Sequence, residues 1–182
     1  GMLEEVPHIE FLDLALCFFY SYQDEILGEG AVLVHESHMQ MWGAATAELM
    51  KLAECNTPRL YPWKKRSMES MLAELSCEDG AQGEIFPGMP MSVLSNDRGI
   101  YGAACVVYPG VLEAIGAEKG AGFYIIPSSI HEVILLEDSG GEDSQALRQT
   151  IEEVNRTQLA PEEILSDNLY YYDFFEKRIK II

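Results

Sequence analysis

Residues 101–137 read YGAACVVYPGVLEAIGAEKGAGFYIIPSSIHEVILLE. Short apolar runs at Phe123–Ile126 and Val133–Leu136 flank the polar turn Pro127-Ser128-Ser129-Ile130-His131-Glu132, so both are expected to be strands. Just upstream, Pro109 suits the first turn of a helix, with Val111, Leu112 and Ile115 facing inward and Gly120 just past its end. Before that helix, Met91–Ser95, the turn Asn96-Asp97-Arg98-Gly99 and Ile100–Tyr108 predict a hairpin. After the second strand, the acidic residues 137–143 lead into a helix to Asn155, with Leu147, Ile151 and Val154 as its buried stripe. Pro161-Glu162-Glu163 starts a helical turn, and Leu169–Tyr172 with Arg178–Ile181 predicts a last hairpin. The part 91–182 is expected to run β-β-α-β-β-α-β, with the closing hairpin as its last β element.

Working toward the N-terminus, residues 77–90, CEDGAQGEIFPGMP, hold three glycines and two prolines without an apolar period. They form the best linker candidate, ahead of which 1–76 is expected to hold a hairpin and two helices. FLDLALCFFYSY at 11–22 alternates as a half-buried strand does, although Phe11, Leu14, Ala15, Phe18 and Tyr22 also fit a helix. Its aromatic density, and the following Gly28-Glu29-Gly30 and Ala31–Val34, favour a hairpin. Trp42, Ala45, Leu49, Leu52 and Ala53 predict an amphipathic helix over 39–54, stopped by Asn56-Thr57-Pro58. A second helix is expected from Lys65 to Leu75, with Met68, Met71, Leu72 and Leu75 on one face. Because strands group as hairpins rather than alternating with helices, the class is α+β: antiparallel hairpins with helices packed on the sheets. The 182 residues suit one compact domain, alone or with an appendage.

Thirty Asp and Glu stand against twelve Lys and Arg, a formal net charge of −18. Duplex nucleic acid rewards clustered cations, and the only clusters are Lys64-Lys65-Arg66 and Lys177-Arg178 with Lys180, so nucleic acid is not an expected partner. The same field repels anionic membranes, and the apolar run Phe11–Tyr20 is too short to span a bilayer. A basic partner protein remains compatible with the charge. Cys17, Cys55, Cys77 and Cys105 show no ligand spacing and are expected to be reduced, which with no visible signal peptide places the protein in the cytoplasm. Gly1 ahead of Met2 has the look of a cloning scar, and the Asn155-Arg156-Thr157 sequon carries no weight without secretion.

The sharpest candidate chemistry is the turn itself. Ser128, Ser129, His131 and Glu132 supply the nucleophile, base and orienting carboxylate that a serine hydrolase needs. Residues this close in sequence seldom reach that geometry unaided, and no G-x-S-x-G elbow is present. The plainer use of such hydroxyls is to satisfy backbone groups in a turn. His35 and His38 are the candidate metal ligands, but zinc needs three or four donors and the sequence offers nothing further nearby except scattered acids and Cys55. Ser37 is expected instead to cap the following helix. Paired acids such as Glu152-Glu153 discriminate nothing in so acidic a chain, and the methionines suit core filling better than a binding groove. With no P-loop, G-x-G-x-x-G or C-x-x-C, no cofactor is expected.

The segments VPHIEFLDLALCFFY at 6–20, NTPRLYP at 56–62, YGAACVVYPGVLE at 101–113, FYIIPSSIHEVILL at 123–136 and EVNRTQLAPEEILSDNLYYYD at 153–173 together resemble an uncharacterised bacterial family from anaerobic gut bacteria. That family is known only as a domain of unknown function, and the resemblance extends over nearly the whole chain. It implies a cytoplasmic bacterial protein and no particular activity. The resemblance implies that members usually carry an additional N-terminal region of about a hundred residues, so the chain is expected to be a C-terminal portion or a shortened member. From the residues, the leading expectation is a non-catalytic domain that binds a protein or a small molecule. The alternatives are a hydrolase built on the 127–132 turn, and a structural or oligomeric role through the aromatic segment Tyr170-Tyr171-Tyr172 with Phe174-Phe175.

Overall fold

The structure, a computed structural model, describes residues 2–24, 28–75, 90–141, 143–158, 160–161 and 163–182. Residues 77–89 of the expected linker lie outside them. The chain forms two compact units, Gly1–Leu60 and Tyr61–Ile182, and the class is α+β. Residues 61–75, grouped with the N-terminal part on sequence grounds, belong to the second unit.

In unit 1, strands β1 (His8–Phe11) and β2 (Leu14–Cys17) pair antiparallel, as do β3 (Phe19–Asp24) and β4 (Gly28–Leu33). The single strand expected over 11–22 is therefore split between two hairpins. Leu12 turns the chain with a positive φ of 56°, a conformation that a strand cannot contain. The helix expected over 39–54 is likewise two helices, α1 (Glu36–Trp42) and α2 (Thr46–Leu60). Gly43 ends the first in the left-handed region, and the Glu48 carboxylate reaches back to accept the Ala45 N–H (2.8 Å) and start the second. Pro58 does not stop α2. It lies in the last turn, where its missing N–H forfeits one main-chain bond two residues before the helix ends. The unit's core is small: buried Phe18, Val34 and Met39, with Ile9, Ala44, Leu49, Met50 and Ala53 against them.

Unit 2 is built on a six-stranded antiparallel sheet in the order β10-β9-β7-β8-β6-β5. Its strands are β5 (Trp63–Ser67), β6 (Met91–Asn96), β7 (Phe123–Ser129), β8 (Glu132–Glu137), β9 (Tyr170–Asp173) and β10 (Arg178–Ile181). Helices α3 (Met68–Leu75), α4 (Val111–Lys119) and α5 (Ser144–Gln158) complete it. Residues 63–67, expected to lie partly in a helix, form an outer strand, because Lys65↔Leu94 and Arg66↔Val93 pairing takes the main chain before α3 begins.

Val133, Ile134, Leu135 and Leu136 are all buried because both faces of β8 are covered. On one face Ile126, Ile134, Leu136 and Met91 pack with Leu147 and Ile151 of α5 and with Met68 of α3. On the other, Phe123 and Leu135 lie under Ile115 of α4, and a Cβ at Gly116 would meet the Phe174 ring at 2.7 Å. Each buried side chain of this kind contributes about 1.5–3 kcal/mol.

Ile100–Tyr108 is not a strand. Residues Gly102–Val107 form a 3₁₀ helix, so the second unit runs β-α-β-β-α-β-β from residue 91 onward. Gly102, Cys105 and Tyr108 are buried at intervals of three, the spacing that a 3₁₀ turn places in line. Among the described residues no helix is long and apolar enough to cross a membrane.

Candidate functional site

The β7–β8 hairpin closes through Ile130-His131, with Ser129 paired to Glu132 and Pro127 to Val133. The register shifts between Pro127 and Ser129, leaving Ser128 as an extra residue in β7. At Pro127 the strand is paired on one side only, because β9 pairs β7 only over Phe123–Ile125, so no bond to β9 is asked of its nitrogen.

The groups of this turn are directed at the main chain. Ser129 Oγ accepts the N–H of His131 (3.0 Å), and His131 Nδ1 accepts the N–H of Tyr101 (3.2 Å). In a neutral imidazole this leaves the proton on Nε2. The His131 ring stacks on Tyr101 at 5.9 Å between centroids, with 19° between planes. Ser95 Oγ donates to the His131 carbonyl (2.7 Å), and the carbonyl of Ile130 accepts from Ala103. Gly102 lies so close to Ser95 and the His131 carbonyl that no Cβ fits there. Asn96 is buried: its Oδ1 accepts the Arg98 N–H (3.0 Å) and its Nδ2 donates to the Ile100 carbonyl (2.7 Å), which fixes the loop leading to Tyr101. Tyr101 has a positive φ of 53°, held there by these bonds.

The structure thus brings Ser129 and His131 together with Ser95, Asn96, Tyr101 and Gly102. The last four escape a sequence reading. Asn96-Asp97-Arg98-Gly99 signals a turn, but nothing in the sequence signals that the turn grips a hairpin 30 residues on.

His35 and His38 lie in unit 1. The N-cap of α1 is His35, not Ser37: His35 is extended (φ −109°), and His38 Nδ1 accepts its N–H at 3.1 Å. That bond draws the lone pair of His38 to the backbone. The rings of His38 and Trp42 stack at 5.5 Å and 24°, and Tyr20 stands edge-on to Trp42 at 5.9 Å and 76°. Among the described residues no group of three His, Cys, Asp or Glu side chains has the arrangement to hold a metal ion.

Under α4 a cavity of about 80 Å³ is lined by Lys65, Ser92, Ile115, Glu118, Phe123 and Leu135, with the Lys65–Glu118 ion pair beside it. Small-molecule pockets run to about 300–1,000 Å³, so this space suits a few waters rather than a metabolite. Near it, Tyr171 donates its hydroxyl to Asp138 Oδ2 (2.9 Å). Burial first, and the Asp138 carboxylate second, push this phenol up to about 12, so it acts as a donor and not as a base. Burial likewise pushes the Cys105 thiol up to about 11, which makes it a small apolar filler and not a nucleophile.

Asn155 of the sequon is buried, and its amide donates to the Ser166 carbonyl (3.0 Å) and Asp167 Oδ1 (2.8 Å), tying α5 to the loop before β9. In the aromatic C-terminal segment, Tyr170 and Tyr172 are buried in β9, which is paired on both sides, whereas Phe175 is exposed in the β9–β10 turn.

The model of a family of unknown function, DUF5688, matches residues 1–174. No curated protein and no solved structure matches the chain.

Proposed function

We propose that this chain, which belongs to the DUF5688 family of unknown function, is a non-catalytic binding domain acting in a bacterial cytoplasm. The observation that carries this reading is the use of the 128–132 turn: Ser129 and His131 spend their acceptor atoms on main-chain N–H groups. A general base must keep its nitrogen for the nucleophile, and here the ring instead locks two loops together.

Two measurements test this. Purified protein is assayed against activated ester, phosphoester and glycoside substrates, beside Ser128→Ala and Ser129→Ala variants. Background rates in all three are expected, and turnover abolished by either substitution overturns the reading. Reciprocal capture from native cells, with a thermal-shift screen of small molecules, is expected to return a partner or ligand. Empty results from both sink it as well.

A further inference from the structure

Unit 1 leaves a group of aromatic rings on its surface. Tyr20 and Tyr22 alternate along β3 and so share one face of the β3–β4 hairpin, and the ring of Tyr22 lies over Gly30, where no side chain competes. Trp42, at the end of α1, comes against Tyr20 with its ring nearly perpendicular, and His38 stacks on Trp42. The His38 bond to the His35 N–H fixes that ring from behind. Tyr20 is 42% and Trp42 48% exposed, so the corner they form is open to solvent. None of these rings belongs to the small core of the unit.

Charge selects the occupant. Residues 1–60 hold ten acidic side chains and only two basic ones, Lys51 and Arg59. The electron-rich faces of Trp and Tyr attract a cation, and a negative field around them raises the local cation concentration. A second copy of this chain is a poor occupant, because it carries the same net −18 and sets several of its cations against its own acids: Lys65 with Glu118, Lys119 with Glu137, Lys177 with Glu113 and Lys180 with Asp173. We propose that the corner of Tyr20, His38 and Trp42 receives an arginine or lysine side chain of a basic partner protein. The proposal rests on the binding-domain reading and names the surface and the partner's chemistry.

The test is calorimetric titration of the full chain with a nona-arginine peptide, alongside a Tyr20→Ala/Trp42→Ala double variant, a Tyr20→Phe/Trp42→Phe double variant and neutral maltohexaose. Each ring removed is expected to weaken peptide binding about two- to fivefold, so the Ala double variant loses about tenfold while the Phe variant, which keeps a ring at both places, loses less. With Trp63→Phe, Trp42 becomes the sole tryptophan, and its fluorescence is expected to change saturably with the peptide. Equal affinity in wild type and the Ala double variant means attraction by charge alone and overturns the site. Binding of maltohexaose in place of the peptide overturns the cationic occupant. Neither result touches the binding-domain reading, which stands or falls on the turnover and capture assays.

Discussion

Helices α2 and α5 are both fifteen residues long, and they are used in opposite ways. α5 buries Leu147 and Ile151 against the sheet and commits even a polar side chain, Asn155, to the interior. α2 buries no residue, and its Leu52 is 57% exposed although it sits in a regular apolar stripe. An apolar stripe is a necessary feature of a packed helix, but what it is worth depends on the area set opposite to it. Unit 2 offers a broad six-stranded sheet, whereas unit 1 offers two short hairpins. The stability of the chain is therefore concentrated in unit 2, and unit 1 leaves several large apolar side chains, Tyr20, Trp42 and Leu52 among them, on the outside.

The largest effect expected from that difference is at Gly102. An added Cβ collides with Ser95 and with the His131 main-chain carbonyl, which cannot move without shifting the β7–β8 hairpin. Gly102→Ala is expected to cost about 3 kcal/mol or more in denaturant unfolding, and a near-wild-type midpoint would show that the loop and hairpin are not interlocked. Next comes a paired test of the two units. Leu136→Ala, at a fully buried position, is expected to cost about 2–5 kcal/mol, against at most about 0.5 kcal/mol for Leu52→Ala on α2. Similar losses at the two positions would break the contrast between them.

A smaller loss, about 1 kcal/mol, is expected for His131→Ala, because the Tyr101 N–H it frees lies near solvent. The smallest effect concerns high pH. The Tyr171 phenol is raised in the folded protein, so its contribution to stability is complete below about pH 10 and is lost as pH rises toward 12. Tyrosinate absorbance of the wild type is expected to show a late-titrating phenol that Tyr171→Phe removes. An unchanged late phase would mean that the Asp138 bond does not hold this hydroxyl.

Much of unit 2 was legible in the sequence. The uninterrupted Val133–Leu136 run signalled a strand, and Pro109 with Gly120 marked α4 closely, because these cues act within a few residues. What misled was distance. YGAACVVY has the apolar content of a strand, yet it packs against Ser95 and His131, which the fold brings to it from β6 and from the β7–β8 turn. Gly43 and Leu12 broke elements that a period alone would have continued, since one left-handed residue outweighs a favourable stripe. At the site, Ser128, Ser129, His131 and Glu132 were visible as a cluster of types, but where the lone pairs point depends on Tyr101, which is thirty positions away.

The order of the sheet has one more consequence. Its two outer strands, β5 and β10, carry Lys64, Lys65, Arg66, Arg178 and Lys180, five of the twelve basic residues in an otherwise acidic chain. Long cationic side chains on an outer strand are a known obstacle to edge-to-edge pairing, and here Lys65, Arg178 and Lys180 also meet Glu118, Glu176 and Asp173 of the same chain. Much of the scarce positive charge of the chain thus lies on the two end strands of its largest sheet among the described residues.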